Sequence, residues 1–147
     1  MPHHLRIVLL WLCTALFLAR VFGQILVGIC PPPQLPAWQE WYSGMLPYPW
    51  LLLGQLLLLM FMAVVTTDHA RGTGRYHVTG ETTRRWLCRL ALVYALAMLL
   101  RYVGRMTVVP EARWFGGTLP IIFHCVLAAW LGMLAVRSTT AGRGRSK

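Results

Sequence analysis

The feature that most restricts this chain is an apolar run from Ile7 to about Cys30, broken only by Arg20 and Gln24. A helix over that run rises about 1.5 Å per residue, enough to cross a hydrocarbon core about 30 Å thick with some tilt. Three further runs follow, at about Tyr48 to Thr67, Trp86 to Gly104 and Thr118 to Val136. Pro31, Pro32, Pro33 and Pro36 stop the first run, Pro47 and Pro49 open the second, and Gly116 and Gly117 precede the fourth. The pattern predicts an all-α fold, a four-helix transmembrane up-down-up-down bundle in a single domain over residues 1–147, ending in a basic tail at 137–147. With 57% of its residues hydrophobic and 12% charged, the chain carries more apolar surface than one soluble core of this size can hide. The first run also has the outline of a signal peptide, but Arg20 falls where a cleavage region is small and uncharged, so the run is expected to be retained.

Charge placement predicts the orientation. Arg6 leads the first run, Arg71, Arg75, Arg84 and Arg85 lie between the second and third, and Arg137, Arg143, Arg145 and Lys147 follow the fourth. Short loops rich in Lys and Arg stay in the cytoplasm, so the expectation is N-in, C-in. The loop from Pro31 to Pro47 has no Lys or Arg, and Trp38, Trp41, Tyr42, Tyr48, Trp50 and Trp114 are placed to form an outer aromatic belt. The basic excess, 14 Lys and Arg against 4 Asp and Glu, is therefore read as membrane orientation and not as nucleic-acid binding. The basic tail fits an anchor to anionic inner-leaflet lipid. Cys13, Cys30, Cys88 and Cys125 show no paired spacing, which argues against a disulfide framework or a zinc site.

Helices in lipid associate through close packing over small residues and through polar contacts. Ala15, Ala19 and Gly23 form such a stripe on the first run, Ala91 and Ala95 on the third, and Ala128 and Gly132 on the fourth below His124. The same stripes would serve a homo-oligomer or a larger membrane complex.

Function is expected where polar residues enter the apolar runs, because ionisable groups at that depth are costly. Arg20 and Gln24 share one face of the first run, and Arg101 and Arg105 share one face of the third. By helical rise, Gln55 and His124 come to a similar level in the outer half. Four outer-half arginines, Arg20, Arg101, Arg105 and Arg113, face only Glu40 and Glu111 as carboxylates, with Arg20 expected to pair with one of them. The unmatched charge points to an anion site for a lipid phosphate or an acidic group of a partner membrane subunit, formed by Arg20, Gln24, Gln55, Arg101, Arg105, Arg113 and His124. The bland reading makes Arg101 and Arg105 snorkel to the headgroups and Gln24, Gln55 and His124 structural glue.

A catalytic or transport reading would use His124 or Glu111 as acid or base beside the arginines, on a phosphate- or acyl-bearing substrate at the outer face; no Ser or Cys nucleophile with an adjacent base accompanies them. Haem ligation between helices would need a second intramembrane histidine, and His3, His4, His69 and His77 fall outside the runs, so no cofactor is expected. Asp68, His69, His77 and Glu81 follow no metal-ligand spacing and read as a solvated loop.

The stretch Arg101-Tyr102-Val103-Gly104-Arg105-Met106, followed by Pro110-Glu111-Ala112-Arg113-Trp114-Phe115-Gly116-Gly117-Thr118-Leu119-Pro120-Ile121-Ile122-Phe123-His124, resembles a segment of small, uncharacterised bacterial four-helix integral membrane proteins. Ala19-Arg20-Val21-Phe22-Gly23-Gln24 and Leu46-Pro47-Tyr48-Pro49 resemble the same group. The resemblance implies the four-helix membrane fold and no activity.

Overall fold

A computed structural model describes residues 1–35, 41, 46–76, 80–108 and 119–136. They form four helices, α1 (His3–Ile29), α2 (Tyr48–Arg71), α3 (Glu81–Val108) and α4 (Leu119–Ala135). Three of them, α1, α2 and α3, are long and apolar enough to cross a membrane, whereas α4 is equally apolar but shorter. The basic tail at 137–147 lies outside the described residues.

Helix boundaries follow local chemistry. Pro47 precedes α2 and Pro49 occupies its first turn, where a missing N–H costs nothing. At its other end α2 runs past the last apolar residue to Arg71, since no breaker intervenes before Gly72, which takes φ 66° as the left-handed cap. This extra turn overturns the reading of His69 as a solvated loop residue. His69 is buried on α2 and donates its Nδ1 proton to the Val65 carbonyl at 2.9 Å. A carbonyl only accepts, so the tautomer follows from the bond.

The buried residues of α1 recur at three- and four-residue spacing, from Leu10 through Phe17 and Val21 to Gln24 and Val27, so one stripe of the helix faces its neighbours. Leu10, Phe17 and Val21 pack with Met62 and Val65 of α2 and with Trp130 and Leu134 of α4. Polar bonds reinforce this core. Trp130 donates its indole N–H to Thr66 Oγ1 at 3.2 Å, and Thr14 Oγ1 lies 3.4 Å from the same hydroxyl. Each such bond between helices is worth about 0.6 kcal/mol on average in lipid.

Backbone neighbours are α1 with α2, α1 with α4, and α3 with α4; among the described residues α2 and α3 do not approach one another. The expectation that consecutive helices are neighbours therefore fails for that pair: α4 packs on α1, and α3 packs on α4. Where α3 meets α4, Ala91 and Ala128 are buried, and a Cβ on Gly132 would stand 3.9 Å from that of Ala91. On α2 the large Phe61 ring instead reaches Trp130 of α4 edge-on, 6.1 Å between centroids. The α3–α4 seam thus uses the small residues anticipated for it. On α1 the small stripe is not the seam: Ala15 and Ala19 are exposed, and Gly23 lies under the Trp41 ring. The inward stripe goes to Thr14, Arg20 and Gln24, whose polar atoms need partners inside the bundle. Gly132→Leu should destabilise the α3–α4 seam by about 1–3 kcal/mol while Gly132→Ala is nearly neutral, measured by unfolding in mixed micelles.

At one end of the bundle the N-termini of α1 and α3 meet the C-terminus of α4. Arg6, anticipated as an orienting charge, is buried and donates to the Met133 carbonyl at 2.9 Å and the Leu134 carbonyl at 3.1 Å. Arg84 donates to the Ala135 carbonyl at 3.4 Å. These bonds satisfy carbonyls that the last turn of a helix leaves open. On the outside, Leu92, Val93, Leu96, Leu99 and Leu100 of α3 are all more than half exposed, an apolar face that water would penalise and hydrocarbon would not.

Candidate functional site

Because α2 and α3 stand apart, a cleft of about 300 Å³ lies between them, its walls drawn from all four helices. Of the residues anticipated to form a site, Arg20, Gln55, Arg101 and His124 line it. Gln24 sits behind them, fully buried, and acts as the hub. Its Oε1 accepts from Arg20 Nη1 at 3.2 Å and from Gln55 Nε2 at 3.1 Å, while its Nε2 donates to the Trp41 carbonyl at 3.4 Å.

Arg20 is only 8% exposed. Besides Gln24 it has the face of the Phe123 ring, with Cζ 5.5 Å from the centroid. A desolvated guanidinium over an aromatic face gains about 2 kcal/mol, well short of what a carboxylate would supply. Among the described residues no carboxylate lines the cleft and Arg20 pairs with none. The acids anticipated as its partners, Glu40 and Glu111, lie outside the described residues, as does Arg113. Arg101 is exposed on the cleft wall; Arg105, one turn further on, is exposed and does not line it.

His124 is engaged by a residue that the sequence reading passed over. The Tyr94 hydroxyl lies 2.5 Å from His124 Nδ1, with the two rings edge-to-face. Tyr94 is seven residues before Arg101, hence on the same helical face, and that spacing was the available signal. Gly54 was missed as well: it lines the cleft, and nothing lies within 4 Å of where its Cβ would be. Leu51, Leu58, Leu127, Phe17, Trp41 and Trp50 supply the apolar walls.

A second cavity of about 290 Å³ lies toward the other end, lined by His69, Arg75, Tyr76 and Trp130 among others. Nearby, Asp68 accepts the Tyr76 N–H at 3.1 Å and Glu81 is paired with Arg84 at 2.6 Å. Among the described residues no three potential metal ligands converge.

The cleft can do one thing well. Two guanidiniums, with no carboxylate among the described lining residues, backed by amide dipoles and walled by apolar side chains, favour an anion attached to an apolar body. Among the described residues no Ser, Cys or carboxylate lines the cleft beside the Tyr94–His124 pair. The fold and cleft thus define an all-helical bundle with membrane-span-like helices and a cationic, partly apolar cleft. No protein-family model, no curated protein and no solved structure matches the chain.

Proposed function

We propose that the chain is a multi-pass protein of a bacterial inner membrane, with both termini cytoplasmic, whose cleft between α2 and α3 holds the headgroup of an anionic lipid in the outer leaflet. It is a binding protein in this reading, not an enzyme. The observation that carries the reading is the charge balance of the cleft, where among the described residues Arg20 and Arg101 line the wall and no carboxylate does. Intramembrane arginines are costly unless an anion, a backbone carbonyl or water offsets their desolvation. A lipid phosphate suits the place because the same walls carry Leu and Trp side chains that match its glycerol and upper acyl region. The union of Arg6, Arg84 and the end of α4 at the opposite pole supports the orientation, since it gathers basic residues on the side where positive charge is retained.

Native mass spectrometry of the full chain, released from membranes containing phosphatidylglycerol and phosphatidylcholine, tests this. The anionic lipid is expected to remain bound preferentially. Arg101→Gln removes a charge-assisted donor worth about 1.5–3 kcal/mol, and should weaken the adduct at least tenfold. Arg101 is exposed, so this variant leaves folding intact. Equal retention of both lipids by the wild type, or an unchanged adduct in the variant, overturns the reading.

A further inference from the structure

The hydrogen-bond network fixes which atom of Gln55 is left for a ligand. Arginine donates and never accepts, so the Gln24 atom facing Arg20 must be its carbonyl oxygen. That oxygen is also what Gln55 meets at 3.1 Å, so the Gln55 atom there must be the amide nitrogen. The remaining Gln55 atom is therefore Oε1, an acceptor, and it is buried with no hydrogen-bond partner among the described residues. Gln55 itself is 7% exposed and lines the cleft. This acceptor therefore sits on a side chain of the cleft wall whose amide nitrogen is already engaged. Arg20 thus polarises the whole chain Arg20, Gln24, Gln55 and leaves an acceptor at its end.

We propose that the anion taken by this cleft is a phosphodiester bearing a neutral hydroxyl, the phosphate lying against Arg20 and Arg101 and the hydroxyl donating to Gln55 Oε1. The inference rests on the anionic-lipid reading and refines its ligand. The donor is a hydroxyl and not an ammonium, because among the described residues two guanidiniums and no carboxylate line the cleft, and they repel a second positive charge. A headgroup of the glycerol type meets both demands, whereas a phosphodiester capped by a methyl group meets only the first.

The test compares lipids of equal charge. Wild-type chain in phosphatidylcholine nanodiscs is loaded with phosphatidylglycerol, phosphatidylmethanol or phosphatidylethanolamine, and the bound lipid is quantified by native mass spectrometry. Phosphatidylglycerol is expected to bind about tenfold better than phosphatidylmethanol, the usual effect of satisfying one buried acceptor, with phosphatidylethanolamine weakest. In Gln55→Met the preference of phosphatidylglycerol over phosphatidylmethanol should vanish, while both still exceed phosphatidylcholine. Equal binding of phosphatidylglycerol and phosphatidylmethanol by the wild type overturns the hydroxyl assignment and leaves the anion site standing. Binding of neither above phosphatidylcholine overturns both readings. A preference that persists in Gln55→Met also overturns the assignment. Displacement of phosphatidylglycerol by soluble glycerophosphoglycerol, its deacylated phosphodiester, at matched concentration supports the hydroxyl-bearing phosphodiester and overturns a lipid as its source.

Discussion

Trp130→Ala should be the most damaging single substitution in the bundle, lowering its stability by about 3 kcal/mol. Trp130 is 2% exposed and packs among the core residues contributed by α1, α2 and α4. It also supplies the edge-on contact with Phe61 and the indole bond to Thr66. In lipid the transfer of an indole between two apolar surroundings contributes little, so the loss comes from the cavity and from forfeited dispersion contacts. This places the effect at the low end of the range of about 3–5 kcal/mol known for aromatic truncation in soluble cores. Trp130→Phe restores most of the volume and should cost no more than about 1–2 kcal/mol, chiefly the bond to Thr66. Denaturant titration in mixed micelles reads both variants; equal losses would mean that packing at Trp130 does not hold the three helices together.

Gln24 carries the second large effect, and two substitutions separate its roles. Gln24→Leu removes the acceptor shared by Arg20 and Gln55 and leaves a buried guanidinium that, among the described residues, keeps the Phe123 ring beside it. The expected loss is about 3 kcal/mol, the cost of stripping a hydrogen bond from a buried charged group. Gln24→Glu behaves differently. A carboxylate in the same place pairs with Arg20 and should leave unfolding within about 1 kcal/mol of wild type. It also cancels the charge that recruits the anion, so binding of phosphatidylglycerol should fall at least tenfold. A folded Gln24→Glu that retains the lipid would show that Arg20 serves the bundle alone.

Much of this architecture was legible in the sequence because the bilayer restricts a chain so strongly. Unbroken apolar runs and their Pro and Gly punctuation located α1 to α4 to within a few residues. The charge rule singled out Arg6 and Arg84, and these residues do gather at one pole. Their roles were not legible, since whether a basic residue faces headgroups or the carbonyls of another helix depends on packing that no local pattern encodes. The same limit applies to Ala15 and Ala19, whose four-residue spacing is a seam signal that α1 does not use. Burial of Gln24 and Arg20 outweighed it, because a polar atom left facing lipid costs more than a less intimate backbone approach.

The site divides in a similar way. Arg20, Gln24, Gln55, Arg101 and His124 could be grouped from depth alone, as helical rise converts position into height and polar residues in apolar runs are few. Depth carries no information about azimuth, so it grouped Arg105 with Arg101 although only Arg101 lines the cleft. Tyr94 and Gly54 went unnoticed because a tyrosine reads as apolar in a span and a glycine as punctuation. What mattered for them was the gap between α2 and α3, which arises from helix packing and not from any local pattern.

Gly54 offers the most direct approach to the central claim that the cleft selects an anionic lipid. A photoreactive benzophenone side chain at position 54 would project into the cleft, where no atom lies within 4 Å of the Cβ position. Irradiated in membranes of phosphatidylcholine with a minor fraction of phosphatidylglycerol, the chain is expected to cross-link phosphatidylglycerol well above its share of the bilayer, and Arg101→Gln should abolish the enrichment. Cross-linked lipids in the same proportions as the surrounding membrane would contradict the account.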